Sequence, residues 1–163
     1  MERRDKINYY LDIADTVSRR STCLRRIYGA IIVKNDEIVS TGYVGAPRGR
    51  KNCTDMGTCI REQLQIPRGQ RYELCRSVHA EANAIISAAR RDMIGGTLYL
   101  VGRDAASGEL LHDTTSCAMC RRMIINSGIT RVVNRIGDDG IEIIDVLNWI
   151  VNDESIQPKA EAE

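Results

Sequence analysis

Apolar residues recur every three or four positions near the start of the chain, the spacing of a helix that packs one face against a core. This pattern predicts a first helix over residues 4–20. The apolar stripe consists of Ile7, Tyr10, Leu11, Ala14 and Val17.

The spacing then changes to one typical of β-strands. Residues 27–33 are apolar and largely β-branched, and residues 37–42 alternate between apolar and polar. Because only Lys34, Asn35 and Asp36 separate the two runs, the pattern predicts a β-hairpin.

Residues 45–76 have no sustained period and are rich in Gly, Pro, Arg and Cys. We predict an insertion with little regular structure, apart from one short helix near residues 59–64. A loop of this length inside a compact domain is usually functional.

The second half alternates between helical and strand-like patterns. Helices are predicted from Glu81 to about residue 91, after Ser116 to about residue 126, and over residues 147–152. Buried strands are predicted over residues 97–101, 130–134 and 141–146.

These elements indicate one α/β domain. A hairpin followed by strands that alternate with helices gives a five-stranded mixed sheet with helices on both faces, in three α/β/α layers. We expect this domain to span residues 1–153 and residues 154–163 to form a flexible polar tail.

Composition narrows the class of protein. The 163 residues are 43% hydrophobic and 28% charged, as in an ordinary globular domain. The chain shows neither an export signal nor an apolar run of membrane-spanning length, so we expect a cytoplasmic protein without a membrane partner. In a reducing compartment, six cysteines are better explained by metal binding than by disulfides.

Two short motifs carry the candidate chemistry. His79-Ala80-Glu81 begins one predicted helix, with Ser77 as its expected N-cap. Cys117-Ala118-Met119-Cys120 begins another, with Ser116 as its expected N-cap, and Gly128 is placed to end it. The two cysteines are then three residues apart on one face of a first helical turn, where the helix dipole favours thiolates.

His79, Cys117 and Cys120 are suitable ligands for a catalytic Zn²⁺ whose fourth position is open to water. Such a zinc lowers the pKa of its water towards about 7. Glu81 is close enough to act as general base and acid, and a dry site that raises its pKa is expected. Taken alone, each motif has another explanation: Cys-x-x-Cys could be redox-active or structural, and His79 an ordinary polar residue.

The other four cysteines flank the insertion, mostly in segments that do not look like core. We predict that they hold a second, structural zinc; separate free thiols are the alternative. They are Cys23, Cys53, Cys59 and Cys75.

The two motifs together resemble the zinc-dependent nucleoside and nucleotide deaminases, whose signature is His-x-Glu followed by Pro-Cys-x-x-Cys. Ser116 stands in place of the proline. The resemblance narrows to deoxycytidylate deaminases and covers about residues 5–135. It is carried by residues 20–23, 40–47, 75–85 and 117–129.

The resemblance implies a cytidine deaminase-like fold, catalytic Zn²⁺, and hydrolysis of dCMP to dUMP with release of ammonia. It also implies a homo-oligomer, often a hexamer, and regulation by dCTP and dTTP. Members with a long insertion can carry a second zinc there, in agreement with the argument from the cysteines.

One departure concerns the substrate loop at Tyr43 and Val44. Val44 occupies the place of an Asn in the family pattern Gly-Tyr-Asn-Gly, which resembles a contact to the sugar. Valine cannot make that hydrogen bond, so the identity of the substrate is less certain than the chemistry.

The charges favour a small anionic ligand. Arginine supplies 19 of the 23 basic residues, yet the net charge is only +1. Because guanidinium groups bind phosphate well, we predict that Arg26 and Arg121 contact a substrate or effector phosphate; ordinary surface arginines are the alternative.

Two other functions stay open. One is deamination of another amino-heterocycle, such as a nucleoside, a base, a modified cytosine nucleotide or adenosine in RNA. The other is a non-catalytic zinc module that binds nucleic acid through the Arg-rich insertion. The second is disfavoured because aromatic residues are only 4% of the chain and Phe is absent, which leaves few platforms for stacking bases.

Overall fold

The computed structural model describes residues 1–156. Its centre is a five-stranded sheet in the order β2-β1-β3-β4-β5, in which β3 and β4 are parallel and the other neighbours antiparallel. The predicted mixed sheet is confirmed. The strands are β1 Arg26–Lys34, β2 Glu37–Tyr43, β3 Thr97–Asp104, β4 Arg131–Ile136 and β5 Gly140–Asp145.

The predicted hairpin connects β1 to β2. Its turn residues Asn35 and Asp36 have φ angles of 51° and 63°, in the left-handed region that two-residue hairpins require and that Asn and Asp tolerate. Lys34 pairs with Glu37 beside the turn. Local sequence therefore explains the hairpin.

Residues 1–156 form seven α-helices around the sheet, three of them a single turn long. They are α1 Lys6–Ser18, α2 Cys53–Met56, α3 Ile60–Gln63, α4 Ala80–Ile86, α5 Arg90–Met93, α6 Ala118–Ser127 and α7 Leu147–Val151. Within residues 1–156, none is long and apolar enough to cross a membrane.

The first motif helix ends earlier than predicted. It stops at Ser87, whose φ and ψ of −83° and 2° end α4, and the chain resumes as α5 after Ala89. This break allows Met93 to enter the core, where it is 3% exposed. The Nε atom of Arg90 donates to the carbonyl oxygen of Asn126 at 2.8 Å and holds α5 against the end of α6.

The three central strands, β1, β3 and β4, are buried on both faces, as the three-layer prediction required, whereas β5 is largely exposed. Successive residues of a strand point to opposite faces, so Ala30 and Ile32 pack in the cluster that includes residues of α4 and α6. Ile31 and Val33 pack with α1 on the other face. Alternate residues of β1 thus pack against different helix layers, one on each face of the sheet.

Two glycines allow helices to approach the sheet closely. A Cβ atom at Gly29 would overlap the backbone of α1 at Ala14, and one at Gly42 would overlap the backbone of α4 at Ala80 and Ala84. Gly42 therefore fixes how near the start of α4 lies to the sheet.

The insertion contains more regular structure than expected. The predicted short helix is present as α3, but α2 and a 3₁₀ turn at Tyr72–Leu74 were not predicted. The carboxylate of Asp55 accepts a hydrogen bond from the backbone N–H of Asn52 at 2.9 Å and closes the start of α2. The Asn-x-x-Asp spacing was the signal for this helix.

The boundary predicted at residue 153 is followed by a 3₁₀ turn at Glu154–Ile156. The rest of the predicted tail, residues 157–163, lies outside the described residues.

Candidate metal centre

The starts of α4 and α6 meet at the candidate site. His79 is the N-cap of α4 and Cys117 the N-cap of α6, both with extended backbone angles. The expected caps, Ser77 and Ser116, precede them, so those two assignments were wrong. Each helix therefore begins directly after its first candidate ligand, and that ligand is the N-cap.

Three candidate ligand atoms converge there. The Nδ1 atom of His79 lies 3.5 Å from the Sγ atom of Cys117 and 3.4 Å from that of Cys120. All three lie within 4.8 Å of one another. One imidazole and two thiol sulfurs form a donor set that suits Zn²⁺, and three protein ligands leave a position open for water or substrate.

The electrostatics favour a thiolate at Cys117. A hydrogen bond from the Cys120 side chain is the main reason that the pKa of the Cys117 thiol falls to about 4, and His79 adds to the effect. The same pairing raises the pKa of the buried Cys120 thiol, because the two sulfurs share a proton. A bound cation would displace that proton, since metal ligands are thiolates.

Glu81 lies in the first turn of α4, is only 4% exposed, and does not belong to the ligand cluster. Burial raises the pKa of its carboxyl group, as the sequence led us to expect. A buried carboxyl two residues from a candidate ligand is positioned for proton transfer.

A cavity of about 820 Å³ opens at the cluster, and both His79 and Glu81 line it. This volume is within the range of small-molecule sites. Val44 also lines the cavity, whereas Tyr43 is 37% exposed and lies outside its lining. Of the two residues predicted to form the substrate loop, Val44 therefore lines the cavity and Tyr43 does not.

Both arginines predicted to contact phosphate line the cavity and are held by protein groups. The Nη1 atom of Arg26 is 3.0 Å from the carboxylate of Asp113. The Nε atom of Arg121 donates to the carbonyl oxygen of Ser116 at 3.0 Å, and its guanidinium lies 5.0 Å from the centre of the Trp149 ring.

Other lining residues were not predicted from the sequence, among them Arg61, Tyr72 and Trp149. Arg61 and Tyr72 belong to the insertion, where no periodicity indicated which side chains face inward. Trp149 is the single tryptophan of the chain and follows the last strand, a signal that could have been used.

The four remaining cysteines lie near the site without converging. Cys23, Cys59 and Cys75 line the cavity, and Cys53 is buried, with its sulfur 4.0 Å from the hydroxyl oxygen of Ser77. Within residues 1–156, His79, Cys117 and Cys120 form the only group of three or more potential ligands with atoms within 4.8 Å. The second zinc stays a prediction.

A mixed sheet that brings a His, two Cys and a buried Glu to one cavity defines the zinc-dependent deaminase class. The chain belongs to the cytidine and deoxycytidylate deaminase family, because the profile of that family's zinc-binding region matches residues 4–135. The predicted family and the class of zinc-dependent deaminase are confirmed.

Two proteins of similar sequence are deoxycytidylate deaminases. A deoxycytidylate deaminase of Mycobacterium phage D29 is 38% identical over 138 residues, which cover 82% of this chain and 96% of the phage protein. That of Schizosaccharomyces pombe is 33% identical over 126 residues, 77% of this chain but only 35% of the yeast protein.

Solved structures share the fold. The apo dCMP deaminase of cyanophage S-TIM5 superimposes with a TM-score of 0.57 at 25% identity, over 85% of this chain and 88% of that one. A cytidine deaminase from Burkholderia pseudomallei, 16% identical, superimposes with a TM-score of 0.53 over 85% of this chain and 91% of its own length. The predicted cytidine deaminase-like fold is confirmed.

Proposed function

We propose that the protein hydrolyses dCMP to dUMP and ammonia at this site. The observation that carries the proposal is the position of the buried Glu81 beside the cluster of His79, Cys117 and Cys120, at a cavity of nucleotide size. The phage D29 relative, which this chain matches over nearly its whole length, supports dCMP as the substrate.

His79, Cys117 and Cys120 would hold the zinc. When bound, Zn²⁺ supplies the Lewis acidity that makes hydroxide available as a nucleophile near neutral pH. Glu81 accepts one proton of the attacking water and delivers it to the ring nitrogen. It then accepts the second proton of the same water, from the hydroxyl formed at the ring carbon, and delivers it to the amine, which departs as ammonia. Its burial raises the pKa of the carboxyl group, so Glu81 accepts a proton more readily than an exposed carboxylate does.

Arg26 and Arg121 are the proposed contacts of a phosphate. Both line the cavity, and their existing partners hold the guanidinium groups in place before any ligand arrives. An ordered donor loses less conformational entropy on binding than a mobile one.

Val44 is proposed to shape sugar recognition. It is 6% exposed and lines the cavity, where its isopropyl group offers no hydrogen bond. This observation favours a second candidate function, deamination of a cytosine nucleotide with a different or modified sugar.

A structural zinc held by Cys23, Cys53, Cys59 and Cys75 is the second part of the proposal. All six cysteines are free thiols, and three of these four line one cavity. Elemental analysis giving two zinc ions per chain, and one after Cys75→Ser, would support it. One zinc per chain in both proteins would contradict it.

We also propose that the protein is a cytoplasmic homo-oligomer, a hexamer, and that dCTP and dTTP regulate it. The six free thiols suit a reducing compartment. Apolar side chains exposed on β5 and α7 could be covered by another copy. They are Ile141, Ile143, Leu147, Ile150 and Val151. Light scattering measures the mass, and dCMP saturation curves with dCTP or dTTP measure regulation.

The central test is ammonia release by the purified, zinc-loaded protein with dCMP, with product identified as dUMP. Turnover of dCMP supports the proposal. Turnover of another cytosine nucleotide alone would contradict the substrate and keep the chemistry, whereas no release from any amino-heterocycle would contradict the enzyme itself.

A further inference from the structure

Tyr72 lies against the candidate metal ligand His79, although the two residues belong to different segments. Their ring centroids are 5.0 Å apart and the ring planes meet at 87°. This edge-to-face arrangement is the favourable one for two aromatic rings. Tyr72 starts the 3₁₀ turn of the insertion, so a loop side chain packs on the imidazole.

Arg61 holds Tyr72 from the insertion side. Its guanidinium carbon lies 4.5 Å from the centre of the Tyr72 ring, a cation–π distance. Arg61 is itself only 6% exposed, and its Nη2 atom donates to the carbonyl oxygens of Pro67 and Gln70 at 3.0 and 2.7 Å. A buried cation tied to two backbone carbonyls is a fixed platform.

We infer that Tyr72 is a positioning residue that keeps the His79 ring turned with Nδ1 towards Cys117 and Cys120. His79 has two ring nitrogens, and rotation about its side-chain bonds would carry Nδ1 away from the sulfurs. Groups that lock a ligating imidazole raise metal affinity, because less freedom is lost on binding. Arg61 acts on the same ring through Tyr72.

This assigns a role to the insertion that does not depend on a second zinc. The segment brings Arg61 and Tyr72 together and thereby completes one wall of the catalytic cavity. The inference rests on the proposed metal site but not on the substrate, so it is tested by metal binding.

The experiment measures zinc affinity of metal-stripped protein by competition with a chromophoric chelator. Tyr72→Ala should weaken zinc binding by about 10- to 100-fold, the usual effect of losing a group that supports a ligand, and Tyr72→Phe should restore it to within about twofold. In Co²⁺-loaded protein, Tyr72→Ala should also alter the visible ligand-field bands, which Tyr72→Phe should leave unchanged.

Leu74→Ala is the matched control, because Leu74 is half-buried in the same 3₁₀ turn but is not the residue on the imidazole. It should loosen the insertion and leave zinc affinity close to that of the parent. Parental affinity in Tyr72→Ala, or an equal loss in Leu74→Ala, would overturn the inference. If Tyr72→Ala does not fold, Tyr72→Leu retains most of the volume without the ring, and the same outcomes decide.

The test separates this inference from the proposed function. Weakened zinc binding in Tyr72→Ala supports the positioning role even if dCMP is not deaminated. Unchanged zinc binding rejects that role even if dCMP is the substrate.

Discussion

The Nδ1 atom of His79 lies 3.4 Å from the Sγ atom of Cys120, although 41 residues separate them in sequence. The contact exists because α4 and α6 both pack on one face of the sheet and begin at the same place. The three candidate ligands therefore come together only if the two helices keep their positions on the sheet, which depends on how closely the helices approach the strands.

Replacing Glu81 by Gln tests the proton-transfer role. Gln retains the size and hydrogen-bonding capacity of the side chain but cannot accept the proton. We expect zinc content to remain at the parental level and kcat to fall by at least about 100-fold, the lower range for general acid–base catalysis. Near-normal ammonia release from the zinc-loaded variant would contradict the assignment.

Gly42 and Gly29 form a matched pair for testing helix placement. Ala at either position introduces a Cβ atom that overlaps helix backbone, so both variants should lose about 1–3 kcal/mol of stability by overpacking. Only Gly42→Ala should also weaken zinc binding, because it displaces α4 and His79 with it, whereas Gly29→Ala displaces α1 on the other face.

Urea unfolding and chelator competition on the same two samples measure both quantities. Equal zinc affinity in the two variants would show that the approach of α4 to β2 does not control the metal centre.

The sequence predicted the sheet and a helix after each motif, because each has a local signature, but it placed the N-caps at Ser77 and Ser116 and not at His79 and Cys117. The break at Ser87 and the position of Tyr72 were not predictable in this way. The break at Ser87 depends on the packing of Met93 in the core. The position of Tyr72 depends on Arg61, which binds the carbonyl oxygens of Pro67 and Gln70 in a segment without periodicity.

The contacts of the arginines also depend on tertiary structure and could not be predicted from local sequence. Their number indicated an anionic ligand, and Arg26 at the start of the first strand and Arg121 directly after Cys120 were selected by their positions. No local pattern, however, shows that Arg103 pairs with Asp15 instead. That distinction arises from which strand end or helix start faces the cavity.

Asp15 should make stability depend on pH. Burial alone would raise the pKa of its carboxyl group, but hydrogen bonds from Arg103, including one of 3.0 Å from Nη2, outweigh burial and hold the pKa below its usual value. A carboxyl with a lowered folded-state pKa stabilises the fold above its unfolded pKa, and this contribution is lost as pH falls through the folded value.

Asp15→Asn should therefore lower the free energy of unfolding at pH 7 by about 1.5–3 kcal/mol and flatten its decline in acid. Asp12→Asn is the control on the same helix, since that carboxylate is 53% exposed and should contribute less than about 1 kcal/mol. Urea titrations from pH 7 down to acid measure both, and equal losses in the two variants would contradict the argument.

The last prediction concerns the phosphate and the sugar. If Arg26 binds the phosphate, kcat/KM should be higher for dCMP than for deoxycytidine, and Arg26→Ala should lower the value for dCMP while changing that for deoxycytidine little. The expected loss is about 10- to 100-fold, from about 1.5–3 kcal/mol for a hydrogen bond to a charged group. Arg131→Ala, a change at an exposed arginine on β4, controls for loss of positive charge.

The same assay also tests sugar recognition, because Val44→Asn places an amide where the cavity wall has an isopropyl group. We expect the parent to distinguish dCMP from CMP weakly and the variant to distinguish them more strongly, since a hydrogen-bonding site rejects sugars that cannot complete its bonds. Equal use of dCMP and deoxycytidine by the parent would discard the phosphate contact. Preference for an oligonucleotide over both would instead support recognition of nucleic acid.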